Sequence, residues 1–240
     1  MIDSPDTPAV HLRKVRSFVR RPGRLTAAQR RALEELLPRY GVPIDAGAPL
    51  DLDALFGRRA ACVLDIGFGD GEALVTCAAN YPQIDYLGVE VHEPGIGHLL
   101  LLLEKAGLNN VRVIARDAAD VIREQLGDRS FDAVNLFFPD PWPKKRHHKR
   151  RLVQPAFVAD VARVLRPGGL FHFSTDWADY AEHTRAVIAT EPRLVPASAN
   201  DLCENPLAFR PPTKFERRGR RLGHDVFDLY LRATEAESAH

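Results

Sequence analysis

The hydrophobic pattern of the chain has a featureless start and then a long alternating series. Residues 1–24 follow neither the helical nor the strand period and read as a flexible arm. Thr26 is placed to cap a helix over 27–37, which Pro38 would end. Residues 40–49, with their prolines and glycines, read as a loop. From 61 onward, short apolar runs alternate with amphipathic segments. The apolar runs predict strands at 61–66, 86–91, 111–115, 131–138 and 170–174, and the amphipathic segments predict helices at 72–79, 95–105, 118–126, 154–165 and 181–190. Phe227, Leu229 and Leu231 alternate with Asp228 and Tyr230, which predicts one more strand, expected to be antiparallel. This alternation predicts an α/β fold of Rossmann-like, doubly wound type: a mostly parallel sheet with helices on both faces. No internal repeat or low-complexity tract interrupts it.

Composition changes this picture little, but the placement of charge changes it more. The 240 residues suit a single domain at 25–235 behind the basic arm 1–24, and 45% hydrophobic content suffices for a full core. The formal net charge is +1. Segments 13–31, 144–151 and 210–221 together hold 20 Lys and Arg against one acid, Glu216, while the rest of the chain holds 13 basic and 31 acidic residues. A near-neutral total therefore hides a basic surface on an acidic body. Cys62, Cys77 and Cys203 are scattered without a CxxC pair, which argues against a zinc site and against a disulfide framework. The first ten residues contain no signal-like apolar stretch, and no apolar run approaches the roughly 20 residues of a membrane helix. The expectation is a cytoplasmic protein without metal or membrane.

The first strand of the series leads into Gly67-Phe68-Gly69-Asp70-Gly71-Glu72, which opens a helix. The spacing is GxGxG. The dinucleotide fingerprint would place its last glycine at Glu72, and an acid there is a poor neighbour for a pyrophosphate at a helix N-terminus. It suits a phosphate-free ligand with a positive centre. S-adenosylmethionine, with its sulfonium, amino acid tail and adenosine, is such a ligand. A glycine-rich turn is also found as a plain loop. Two further acids stand at strand ends. Glu90, about 20 residues past the glycines, can accept both ribose hydroxyls. Asp117 can accept from an adenine amino group, and it fits a helix N-cap equally well. The carboxyl ends of successive strands are where open α/β sheets hold ligands.

The fourth strand leads into Pro139-Asp140-Pro141-Trp142-Pro143 and then the basic run 144–151. The prolines stiffen this loop. An acid beside an aromatic ring can grip a flat base by hydrogen bonding and stacking, with the basic run holding phosphates nearby. The bland alternatives are a tryptophan packed under the loop and a solvated helix face. The junction of the run with the acid–aromatic loop favours nucleic acid.

Over about 12–232 the chain resembles bacterial tRNA (guanine-N7-)-methyltransferases. The resemblance rests on Arg16-Ser17-Phe18-Val19-Arg20-Arg21, the glycine turn and Gly88-Val89-Glu90-Val91-His92. It continues through Phe138-Pro139-Asp140-Pro141-Trp142 with its basic run, Ser174-Thr175-Asp176-Trp177, and Thr213-Lys214-Phe215-Glu216-Arg217-Arg218-Gly219. The glycine turn is generic to methyltransferases of this fold, whereas the Pro-Asp-Pro-Trp loop and the Thr-Lys-Phe-Glu segment are specific. The resemblance implies S-adenosylmethionine as methyl donor and tRNA as partner, with methylation of guanosine 46 in the variable loop. It implies cofactor contacts from Asp65, Gly67, Gly69, Glu90, Asp117 and Asp140. Relatives often carry Glu at the Asp65 position, with the same charge. Asp140 is also the catalytic candidate. Lys144, Asp176, Thr213, Lys214, Phe215 and Glu216 match substrate-binding positions. Arg146, His147, His148, Lys149, Arg150 and Arg151 match an RNA-contacting stretch. Family members are monomers or homodimers.

Guanine N7 has an exposed lone pair and no proton, so its methylation needs no general base. Orientation and electrostatics are then the expected means of catalysis, with Asp140 facing a cationic product. Asp176 is either a second acid near the base or a cap for the helix that follows. Two rival readings are another class I methyltransferase acting on a protein or small molecule, and a non-catalytic RNA-binding module with a relic cofactor pocket. The third glycine is misplaced for a nicotinamide oxidoreductase.

Overall fold

The computed structural model describes residues 23–43 and 49–235. Residues 1–22 of the expected arm, and 44–48 of the expected loop, lie outside the described residues. Seven strands form one sheet: β1 (Cys62–Ile66), β2 (Asp85–Val89), β3 (Val111–Ile114), β4 (Phe131–Phe137), β5 (Leu165–Thr175), β6 (Leu194–Pro196) and β7 (Phe227–Ala233). Their order is β3-β2-β1-β4-β5-β7-β6. Strands β1 to β5 pair in parallel, and β7 runs antiparallel between β5 and β6. The helices are α1 (Ala27–Glu35), α2 (Leu37–Tyr40), α3 (Leu52–Phe56), α4 (Glu72–Asn80), α5 (Glu93–Ala106), α6 (Ala118–Gln125), α7 (Pro155–Val164), α8 (Ala178–Ile188), α9 (Ala199–Leu202) and α10 (Lys214–Arg221).

The continuous apolar strands are buried on both faces, as parallel strands in doubly wound sheets are. One face packs Ala32, Leu74, Ile96, Leu99 and Leu103 from α1, α4 and α5 against Val63 and Tyr86. The other packs Val121, Phe157, Val161 and Tyr180 from α6, α7 and α8 against Leu64, Phe131 and Phe173. Each such large side chain taken from water contributes roughly 1.5–3 kcal/mol. Reversal of the strand order at β1 and β4 opens a crevice at their carboxyl ends, where the glycine turn and the Pro-Asp-Pro-Trp loop emerge.

Local chemistry explains where the elements differ from expectation. Thr26 and Gln29 form a reciprocal capping box at the start of α1. Pro38 does not end this helix. The helix stops at Glu35, and Pro38 sits in the first turn of α2, where a missing N–H is no loss. β5 begins at Leu165 rather than 170, because the pairing with β4 shifts register around Pro167-Gly168-Gly169. β6 has three residues, too few for a period to emerge. α10 forms where only a basic stretch was expected. Its start is written in Thr213 and Glu216, a cap residue and its third successor, and Thr213 Oγ1 accepts from Glu216 N–H at 3.1 Å.

Candidate active site

The glycine turn takes its shape from three left-handed residues, with φ of 69° at Gly67, 62° at Gly69 and 80° at Gly71. Gly67 and Gly69 line a cleft of about 620 Å³ together with Glu90, Asp117, Asp140 and Trp142. The strand-end acids and the loop acid therefore meet in one crevice. Glu90 is fixed by backbone groups: one oxygen accepts from Gly69 N–H at 3.1 Å, and the other from Val91 and His92 N–H at 2.7 and 3.0 Å. Asp117 both lines the cleft and caps α6, accepting from Ala119 N–H at 3.1 Å. The two readings of this residue are thus compatible.

Asp65 lies deeper, in a side pocket of about 50 Å³ that also touches Phe68, Asp70, Thr213 and Phe215. Its carboxyl is pushed up to about 7, first by complete burial and then by the neighbouring charge of Glu90. A buried acid facing a second acid is matched by a cationic group. The set as a whole offers carboxylate acceptors without a phosphate cradle, which fits the ammonium and sulfonium, ribose hydroxyls and adenine amino group of S-adenosylmethionine. Glu72 has another task than facing a ligand. It is half exposed and pairs with Arg217 at 2.9 Å.

Phe138 and Trp142, on either side of Pro139-Asp140-Pro141, have φ of 50° and 44°. Bulky residues adopt this left-handed region only when their surroundings hold them there. Trp142 is half-buried at the cleft, with the Arg150 guanidinium 4.0 Å from its ring centre and the His147 ring edge-on at 5.9 Å. The run then forms a short 3₁₀ helix, Lys145–Arg150. Lys144, Arg146 and Lys149 are exposed, and His147 and His148 are half-buried. Arg151 departs from the others, for its side chain is 1% exposed.

Phe215 lines both cavities and is 54% exposed. Lys214 extends toward Asp70 at 3.9 Å. Lys144 and Asp176 lie outside the lining of either cavity. The cap of α8 is Trp177, not Asp176, whose carboxylate instead meets His224 at 3.4 Å.

The chain matches a family model described as a putative methyltransferase over residues 59–229. It is 58% identical over 228 residues to a tRNA (guanine-N(7)-)-methyltransferase from Alkalilimnicola ehrlichii, covering 93% of this chain and 94% of the relative. A second such enzyme, from Halorhodospira halophila, is 55% identical over 220 residues, covering 92% and 95%. The chain belongs to the tRNA (guanine-N7-)-methyltransferase family. Its fold is shared more widely. The 16S rRNA methyltransferase KamB superposes with a TM-score of 0.51 at 18% identity, over 78% of this chain and 95% of that one. An antibiotic-related methyltransferase gives 0.51 at 17% identity, over 79% and 98%.

Within this family member, the C-terminal part of the site rests on a charge network that sequence reasoning missed. Arg210 has a side chain 9% exposed and pairs with Glu216 and with Asp228 of β7. Glu216 is itself buried and also takes Arg220 at 2.7 Å. Asp228 accepts from Ser174 Oγ and from His172 Nε2, the latter at 2.9 Å. Burial raises the Asp228 carboxyl, but these hydrogen bonds and the Arg210 charge outweigh it and hold the group at about 2. The network ties the turn before α10 to the sheet.

Proposed function

We propose that this protein transfers the methyl group of S-adenosylmethionine to N7 of a guanosine in tRNA, at position 46 of the variable loop. The observation that carries the reading is the meeting of Glu90, Asp117 and Asp140 around one cleft, with Asp65 in the side pocket that shares Gly67 and Gly69 with it. Asp65, Glu90 and Asp117, with Gly67 and Gly69, would hold the cofactor. Bound there, S-adenosylmethionine supplies an electrophilic methyl group. Asp140 accepts from the guanine N1 and N2 hydrogens, which selects guanine over adenine, and its charge steadies the positive purine that forms. Trp142 offers a stacking surface for the base. Lys144, Asp176 and the residues from Thr213 to Phe215 frame the substrate, while the buried Glu216 supports that segment through Arg210 and Arg220. The exposed side chains of the run from Arg146 to Arg150, with those of α10, face tRNA phosphates.

The test is incubation with labelled S-adenosylmethionine and unmodified tRNA, followed by borohydride and aniline cleavage, which maps N7-methylguanosine. A single cut at position 46 is the expected product. Label appearing only on protein or small molecules would favour another substrate class, and failure to bind S-adenosylmethionine would favour a non-catalytic RNA-binding module.

A further inference from the structure

The loop that holds Asp140 is strained on both sides, at Phe138 and Trp142, and something must keep it in place. Its prolines fix the loop's internal shape but not its position against the sheet. One end is held by the backbone, where Phe138 N–H donates to Ser174 O at 2.8 Å. The other end is held by a side chain. Arg151 Nε donates to Pro141 O at 3.0 Å, Nη1 donates to Asp179 O at 3.4 Å, and Nη2 binds the Asp179 carboxylate. The Tyr180 ring lies under the guanidinium, 4.8 Å from it. Arg151 thus turns inward at the end of a run whose Arg146 and Lys149 face solvent. Asp179 is 61% exposed and opens α8, so the tie reaches from the loop to the helix packed beneath it.

We propose that Arg151 and Asp179 are positioning residues that hold Asp140 at the mouth of the cleft, and that Arg151 does not grip tRNA. The proposal rests on Asp140 being the catalytic residue. It assigns the last arginine of the run a different task from its exposed neighbours. A planar guanidinium suits this task, because its fork reaches a carbonyl and a carboxylate at once. Lysine has one donor centre and cannot span both.

The two roles give opposite results for Asp179. If Arg151 served phosphates, Asp179 would only weaken the local positive field, and Asp179→Ala would tighten tRNA binding. As a positioning pair, Arg151 and Asp179 act together on turnover. Single-turnover rates, KM for tRNA and its salt dependence are measured on purified full-length protein for Asp179→Ala, Arg151→Lys, the double variant and Asp140→Ala, with thermal melts alongside. The expected result is a loss in kcat of about 10–100-fold for Asp179→Ala and for Arg151→Lys, since small misplacements of a reacting group cost this much. The double variant falls no further than the worse single one. The KM for tRNA stays within about twofold, and the slope of binding against salt is unchanged.

Asp179 is exposed, so its variant keeps the question open to test even if Arg151→Lys fails to fold. Wild-type kcat in Asp179→Ala, or tighter tRNA binding, overturns the proposal. Arg151→Ala is added to the set for the salt titration alone, and a drop of about one in its salt slope overturns the proposal as well, because that marks a lost phosphate contact. Asp140→Ala separates the two levels. If it is inactive while Asp179→Ala is normal, the positioning role alone falls. If Asp140→Ala turns over normally, the catalytic reading fails and the positioning role falls with it.

Discussion

On the β1–β3 side of the cleft, Glu90 and Asp117 are held by backbone N–H groups of the glycine turn, of the segment after β2 and of the first turn of α6. On the β4–β7 side, the segments bearing Asp140, Thr213 and Phe215 are fastened by two nearly buried arginines, Arg151 and Arg210. A backbone-held carboxylate is in place wherever the sheet is formed. A loop held by a guanidinium depends on one side chain and its partners. The first arrangement makes the proposed cofactor side robust, and the second concentrates the vulnerability of the proposed substrate side in a few buried positions.

Four substitutions and one change of condition probe this difference. The largest effect belongs to Asp140→Ala, which is expected to lower kcat by about 10²–10³-fold while tRNA affinity stays within about twofold, measured by single-turnover kinetics and filter binding. Next is Arg210→Ala. It leaves Glu216 and Asp228 short of a buried partner and is expected to destabilise the fold by about 3 kcal/mol in urea titration, with KM for tRNA rising more than Kd for cofactor. An equal rise in both would erase the contrast between the two sides. Glu90→Ala should weaken S-adenosylmethionine by about 10–100-fold in calorimetry and leave tRNA affinity unchanged.

The smallest effect is one of pH. Asp65 keeps its proton up to about 7, and a cationic ligand prefers the carboxylate. Cofactor affinity should therefore fall as pH drops below 7, by up to about tenfold per unit. Stability runs the other way. Between about pH 4 and 7 the unfolded chain has lost this proton and the fold retains it, so Asp65 makes the fold less stable as pH rises through that window. Above it the penalty persists, and Asp65→Asn should raise the Tm at pH 8 while impairing cofactor binding. A lowered Tm in that variant would contradict the burial argument.

Much of the β1–β3 side of the cleft was legible in the sequence, because it depends on order along the chain. β1 to β3 were marked by short, mostly apolar runs, with Asp65 inside β1 and Glu90 and Asp117 following β2 and β3. The glycines at 67, 69 and 71 announced a turn that only left-handed residues can make. The β4–β7 side was legible as composition but not as architecture. Arg151 and Arg210 look like any other arginine of the basic segments, and their burial is decided by Asp179, Glu216 and Asp228, which lie far away in the sequence or in another element. One marker was available: the spacing of Thr213 and Glu216 is that of a helix cap, and it would have revealed α10. β6 gave no periodic trace because it exists only by pairing with β7.

The place of β7 in the sheet also bears on how the protein is made. Synthesis delivers the glycine turn and the strand-end carboxylates early, and these can settle as soon as β1 to β4 have emerged. β7 is the last strand among the described residues, yet it is inserted between β5 and β6 rather than added at the rim. Until it arrives, the flank of β5 stays open and β6 has nothing to pair with. Asp228 arrives with β7, and only then does Arg210 gain its second anchor. A nascent chain can therefore place the glycine turn and the strand-end carboxylates early, while Phe215, which lines both cavities, and the Arg210–Asp228 tie come only with the C-terminal segment.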